Sequence, residues 1–205
     1  MKIHISSTLL FFLSTTTFLT LTTAGNPPPP PSNDTDFIHT SCRTTLYPQT
    51  CINSLSGYSS AVQRDPGRLA RVAINVTLSK TKHMAKYVSN LTRDVDYGGS
   101  PRLAAAVHDC HSLLADAVYG VRESLGQMGT LNGTGEALRF QISNVQTWMS
   151  AALTNLETCT DGFEDVAADG GGVKDDVCGR AVKVKEVTSN ALALVNSFAD
   201  TVQTP

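Results

Sequence analysis

The stretch YGGSPRLAAAVHDCHSLLADAVYGVRESL, residues 97–125, decides the fold. Gly98 and Gly99 release the backbone, Ser100 offers an N-cap oxygen, and Pro101 falls at the first helical position, where a backbone donor is not needed. Beyond that boundary Leu103, Val107, Cys110, Leu114, Ala117 or Val118, Val121 and Leu125 recur every three or four residues, the period that gathers side chains on one helical face. Upstream, Leu69, Val72, Val76, His83, Tyr87 and Leu91 follow the same period, while Arg71, Asn75, Lys82, Lys86 and Arg93 largely occupy other faces. A preceding helix therefore ends at the glycine pair, with His83 expected on its inner stripe as a packed or interface residue.

Downstream, the Gly-rich segment from Gly129 to Gly135 separates a third repeat, made of Leu138, Ile142, Val145, Met149, Ala152, Leu156 and Cys159, which closes at Asp161-Gly162. The run from Asp161 to Asp176 carries six acidic residues with Lys174 as its only base, and reads as a solvated, flexible crossing. Val177, Ala181, Val184, Thr188, Ala191, Val195 and Phe198 form the fourth stripe. Four helices of about seven turns, joined by three short connections and without an alternating strand pattern, predict an all-α protein, an antiparallel up-down-up-down four-helix bundle.

Composition removes some functions at once. The 205 residues are 41% hydrophobic and 17% charged, and 16 Lys and Arg against 18 Asp and Glu give a formal net charge of -2, no excess of cations for a nucleic-acid backbone. Residues 1–24 have the layout of a secretory signal peptide: Lys2, the apolar run Leu9-Leu10-Phe11-Phe12-Leu13, then the small residues Thr22, Thr23 and Ala24. Ser and Thr interrupt that run too soon for a spanning helix, so no membrane anchor is expected. Residues 25–36 form a proline-rich spacer around the unbroken run Pro27 to Pro31, which lacks backbone donors and is expected to stay extended. Four sequons, at Asn33, Asn75, Asn90 and Asn132, are candidate glycosylation sites in an exported chain.

Export also gives the five cysteines a meaning, because disulfides persist outside the reducing cytosol. Cys110 and Cys159 lie on the core stripes of the second and third helices, where an antiparallel bridge fits if one helix overhangs the other. Cys42 and Cys51 flank Tyr47-Pro48, a turn that would let a bridge clip two short helices into an N-terminal helical hairpin before the bundle. Cys178 is left as the candidate free thiol, either tucked into the fourth helix or paired with another chain.

Chemistry is sparse. Cys110 with His108 and His111 lacks the spacing of a metal site, since neighbouring residues on a helix point in different directions and no CxxC or HExxH pattern completes the set. Asp109, Asp116 and Glu123 share one helical face at seven-residue spacing, about 10.5 Å per step, too far for a simple acid pair. There is no GxSxG elbow, P-loop or dinucleotide fingerprint, and Gly133-Thr134-Gly135 reads as a turn. Neither a cofactor nor catalysis is expected, and binding through exposed helical faces is the remaining reading.

At this point the cysteine-bearing segments carry a resemblance. Ser41-Cys42-Arg43-Thr44-Thr45-Leu46-Tyr47-Pro48-Gln49-Thr50-Cys51, the segment Ala104 to Val118 around Cys110, and Trp148 to Phe163 around Cys159 together resemble the plant invertase and pectin methylesterase inhibitor family. Thr188 to Leu194 resembles the family's final helix. The resemblance implies that 37–205 is an inhibitor domain with a bridged hairpin, a bridge between the second and third bundle helices, and one free cysteine. It further implies a secreted protein of the apoplast or cell wall that forms a 1:1 noncovalent complex with its target and is not itself an enzyme. The target would be a pectin methylesterase, whose substrate cleft is covered by the second, third and fourth bundle helices, or alternatively an acid invertase. Invertase inhibitors of the family carry a Pro-Lys-Phe patch that is absent near Val173-Lys174-Asp175-Asp176, which favours the esterase. His111-Ser112-Leu113-Leu114 departs from the acidic residue and Tyr that many members have after this cysteine. Asp116, Glu123, Gln141, Asn144, Thr147 and Thr154 are the expected partner contacts. A non-inhibitory extracellular structural or signalling glycoprotein is the remaining alternative.

Overall fold

The computed structural model describes residues 33–94, 97, 100–166 and 171–203. The signal segment and the proline run lie outside the described residues. Three short helices, α1 (Asn33–Cys42), α2 (Pro48–Leu55) and α3 (Ser59–Val62), with a 3-10 turn at Ser56–Tyr58, precede four long ones. These are α4 (Pro66–Asp94), α5 (Pro101–Thr130), α6 (Gly135–Asp161) and α7 (Gly171–Gln203). α1 begins inside the segment expected to be spacer: residues 33–36 are helical, with Asp34 and Asp36 in the first turn, where carboxylates favour the helix dipole.

Local chemistry explains the boundaries. At the start of α5 the Ser100 hydroxyl accepts from the Leu103 N–H at 3.4 Å and Pro101 occupies the first turn. Between α5 and α6, Gly133 (φ 77°) and Gly135 (φ 59°) take the left-handed conformations that a tight helix-to-helix turn requires. α4 and α6 each pack between α5 and α7, so the four long helices follow one another around a square, as an antiparallel bundle requires. α5 and α6 approach closely at Gly120, where a Cβ would lie 3.0 Å from the Trp148 carbonyl oxygen. Cys110 and Cys159 tie the same pair, with Cα atoms 4.4 Å apart.

The stripes of α5, α6 and α7 face the core as the periodicity indicates, but that of α4 is rotated. The buried residues there are Leu69, Ala70, Ala73, Ile74, Thr77, Leu78, Thr81, Met84 and Val88, whereas Val72, Val76, Tyr87 and Leu91 are half-buried and His83 is exposed. His83 is therefore not an inner residue. Thr77 and Thr81 make the rotated stripe possible, because their hydroxyls donate one turn back to Ala73 O (2.9 Å) and Thr77 O (2.8 Å), and so enter the core with their polarity satisfied. The acidic crossing also differs from expectation. α7 already begins at Gly171, and Phe163 and Val166 are buried beneath the turn. The Lys174 ammonium donates to Val166 O at 2.9 Å and fastens that turn to α7.

The hairpin contains the bridge Cys42–Cys51, with Cα atoms 5.5 Å apart, and docks on α7. Asn190 holds its turn at two points: Oδ1 accepts from Tyr47 N–H (3.1 Å) and Nδ2 donates to Tyr47 O (2.9 Å). Beside it the Thr50 hydroxyl donates to Glu186 Oε2 at 2.7 Å.

Candidate functional site

The outward faces of α5 and α6 bring most of the expected contact residues together. Their antiparallel register is set by Gln127 opposite Gln141, Ser124 opposite Val145, Gly120 opposite Trp148 and Cys110 opposite Cys159. That register puts Asp116 and Glu123 of α5 level with the middle of α6, where Asn144, Thr147 and Thr154 recur on one face. Asp116, Thr147 and Thr154 are exposed; Glu123, Gln141 and Asn144 are half-buried. Among the described residues no ion pair ties Asp116 or Glu123, and Asp116 is exposed.

Two members of this set are already engaged. Gln141 closes the α5–α6 turn: its Oε1 accepts from Asn132 N–H at 3.2 Å, and its Nε2 donates to Asn132 O (2.8 Å) and Ala137 O (3.1 Å). Thr147 donates back along its own helix to Ser143 O at 2.9 Å. The face also carries two large side chains that periodicity did not single out, Tyr119, 59% exposed, on α5 and Phe140, 68% exposed, on α6. The signal was present in the sequence, because Tyr119 lies between Asp116 and Glu123 and Phe140 falls between the stripe residues Leu138 and Ile142. Exposed aromatic residues beside uncommitted polar ones are the usual anchors of a protein interface.

The remaining candidates are dispersed. Asn75 is exposed on α4 and Asn132 is exposed at the α5–α6 turn, while Asn90 is half-buried and accepts from Arg93 at 2.6 Å; Asn33 opens α1. Cys178 is a half-buried free cysteine whose thiol is pushed up by burial, away from the reactive thiolate. Asp109 pairs with the neighbouring His108 at 3.8 Å. The sulfur that a metal reading of this region would need is committed to the Cys110–Cys159 bridge.

On the opposite edge, α4 and α7 enclose an open groove of about 570 Å³. Within it the Tyr87 hydroxyl donates to Asp176 Oδ2, Arg180 Nε donates to the same oxygen at 3.0 Å, and the Arg180 guanidinium lies 4.2 Å from the Tyr87 ring centroid. The Tyr87 hydrogen bond first, and the Arg180 contact second, hold the Asp176 carboxyl below the usual aspartate range. Among the described residues no helix is long and apolar enough to cross a membrane.

The profile described as "Plant invertase/pectin methylesterase inhibitor" matches residues 36–194. Pectinesterase inhibitor 10 of Arabidopsis thaliana is 43% identical over 174 residues, which cover 83% of this chain and 54% of that protein. Pectinesterase inhibitor 11 of the same species is 41% identical over 167 residues, covering 80% of this chain and 81% of its own length. The crystal structure of a mutant form of a pectin methylesterase inhibitor from Arabidopsis superposes with a TM-score of 0.60 at 21% identity, covering 80% of this chain and 97% of that one.

Proposed function

The chain belongs to the plant invertase/pectin methylesterase inhibitor family, and on that premise we propose that it is a secreted inhibitor of a plant pectin methylesterase. The observation that carries this reading is the kinship with proteins named pectinesterase inhibitors, at 43% and 41% identity over four fifths of the chain. The inhibitor acts by occupation. It binds one enzyme molecule noncovalently and lays the outward face of α5 and α6, with the adjoining surface of α7, across the cleft that accepts the pectin chain.

The physical properties of that face suit the task. Two long helices tied at Cys110–Cys159 and in close contact at Gly120 present a rigid surface, so little side-chain and backbone order has to be established on binding. Tyr119 and Phe140 supply apolar area, Asp116 and Glu123 supply charge, and Asn144 supplies an amide. A complex of ordinary size buries about 1,200–2,000 Å² in all, with most of the energy in a few central side chains. The bridges, the sequons and the leader suit an extracellular site of action.

Occupation of the cleft has a kinetic signature. In steady-state assays with inhibitor in large excess over enzyme and pectin varied to saturation, the purified mature chain should raise the apparent KM of the esterase and leave kcat unchanged. Under the same excess of inhibitor, a fall in kcat at constant KM would place the inhibitor away from the cleft and reject this mode of action.

A further inference from the structure

The α4/α7 groove has features that enzyme inhibition through the opposite edge does not use. Its walls carry three permanent cations, Lys80, Arg180 and Lys183, and His83, in a chain whose overall formal charge is -2. Among the described residues Lys80, His83 and Lys183 lie in no ion pair. Of the two carboxylates in the lining, Asp176 is occupied by Tyr87 and Arg180, and Asp175 is exposed. With Arg180 and Asp176 paired to each other, the groove presents the ammonium groups of Lys80 and Lys183 against the single uncommitted carboxylate of Asp175.

Its form narrows the ligand further. Met84 and Val184, both nearly fully buried, give the groove an apolar floor, and Gly179 leaves one wall without a side chain. Tyr87 is fixed from two sides, by its hydroxyl on Asp176 and by the Arg180 guanidinium on its ring, so it forms a preorganised edge of the groove. Lys80 and Tyr87 are two helical turns apart, about 10.5 Å along the axis, which suits an extended ligand with repeated charges better than a single small anion. Carbohydrate rings combine an apolar C–H face, which packs on an aromatic ring or apolar floor, with hydroxyls and, in uronic acids, one carboxylate per unit.

We propose that the α4/α7 groove is a second binding site, for a chain of uronic acid residues with free carboxylates, held by Lys80 and Lys183 over the Met84 and Val184 floor beside Tyr87. This rests on the esterase reading in one respect: hydrolysis of a methyl ester by that enzyme releases methanol and leaves such a carboxylate on the sugar. A methyl ester carries no charge, so the groove favours the product of the reaction over its substrate. Because it lies on the edge opposite α5 and α6, the site stays open while the enzyme is bound.

The test is binding of the purified mature chain to a galacturonate hexamer, its fully methyl-esterified form and hexaglutamate, each followed by titration calorimetry at low salt. The free-acid hexamer should bind at least about tenfold tighter than either of the others, and K80E/K183E should lose about tenfold of that affinity. Should the charge reversal disturb folding, K80M/K183M, which keeps the apolar stems, should show the same loss. Equal or tighter binding of the esterified hexamer or of hexaglutamate, no binding of the free acid, or unchanged affinity in the lysine variants would overturn the proposal. The assay contains no esterase. A failure here leaves inhibition untouched, and a failure of inhibition leaves this result readable.

Discussion

Replacing Cys110 and Cys159 together by serine should lower the stability of the folded chain by about 4 kcal/mol. The bridge closes a loop with a sequence separation of 49 and so removes a large part of the unfolded chain's freedom. Both residues are buried, at 1% exposure, so serine also places two hydroxyls in an apolar layer between α5 and α6. For a domain of this size the loss corresponds to a fall in melting temperature of about 8–16 °C. Thermal unfolding followed by circular dichroism, with and without reductant, reads it directly. A double variant melting within about 2 °C of the oxidised wild type would show that the bridge does not restrain the bundle. At temperatures where the variant remains folded its inhibition should persist, because neither sulfur reaches the outer face.

Thr147→Trp should have the largest effect on function. Thr147 is exposed near the middle of the α6 face, and its hydroxyl serves only its own helix through Ser143 O. Removing it costs the fold little, whereas an indole standing out of the face holds the enzyme away from Asn144, Thr154 and the neighbouring α5 residues. The inhibition constant should rise by about a hundredfold, roughly 2.7 kcal/mol, with the melting temperature nearly unchanged. Ser79→Trp, the same bulk at an exposed position on α4, is the control and should inhibit as the wild type does. If Thr147→Trp inhibits normally while Ser79→Trp does not, the binding face has been assigned to the wrong edge of the bundle.

The sequence revealed those parts of the fold that depend on neighbouring residues. Ser100-Pro101 and the glycines around Thr134 act within one turn, so the ends of the long helices could be read from cap and turn chemistry. The stripes of α5, α6 and α7 were equally legible because their buried positions are almost all apolar. On α4 the reading slipped round the helix, since Thr77 and Thr81 look polar until their bonds to the preceding turn are seen. A count of charges made residues 161–176 look like open surface, and hid Phe163 and Val166, which are buried through contacts with distant helices. The candidate site was legible as a set of positions on α5 and α6. The prior commitment of Gln141 to the turn was not, because it depends on how Asn132 is folded back. The α4/α7 groove was out of reach for the same reason: Tyr87 and Asp176 are 89 positions apart, and only packing of the first and last long helices joins them.

The most direct measurement is a titration of the purified, oxidised mature chain against a plant pectin methylesterase and, in parallel, an acid invertase, near apoplastic pH. Activity of the esterase should fall linearly to its floor at about one inhibitor per enzyme, as tight 1:1 complexes of this interface class do, and the invertase should be unaffected. Loss of invertase activity with the esterase untouched, or full activity of both enzymes at excess inhibitor, would contradict the account.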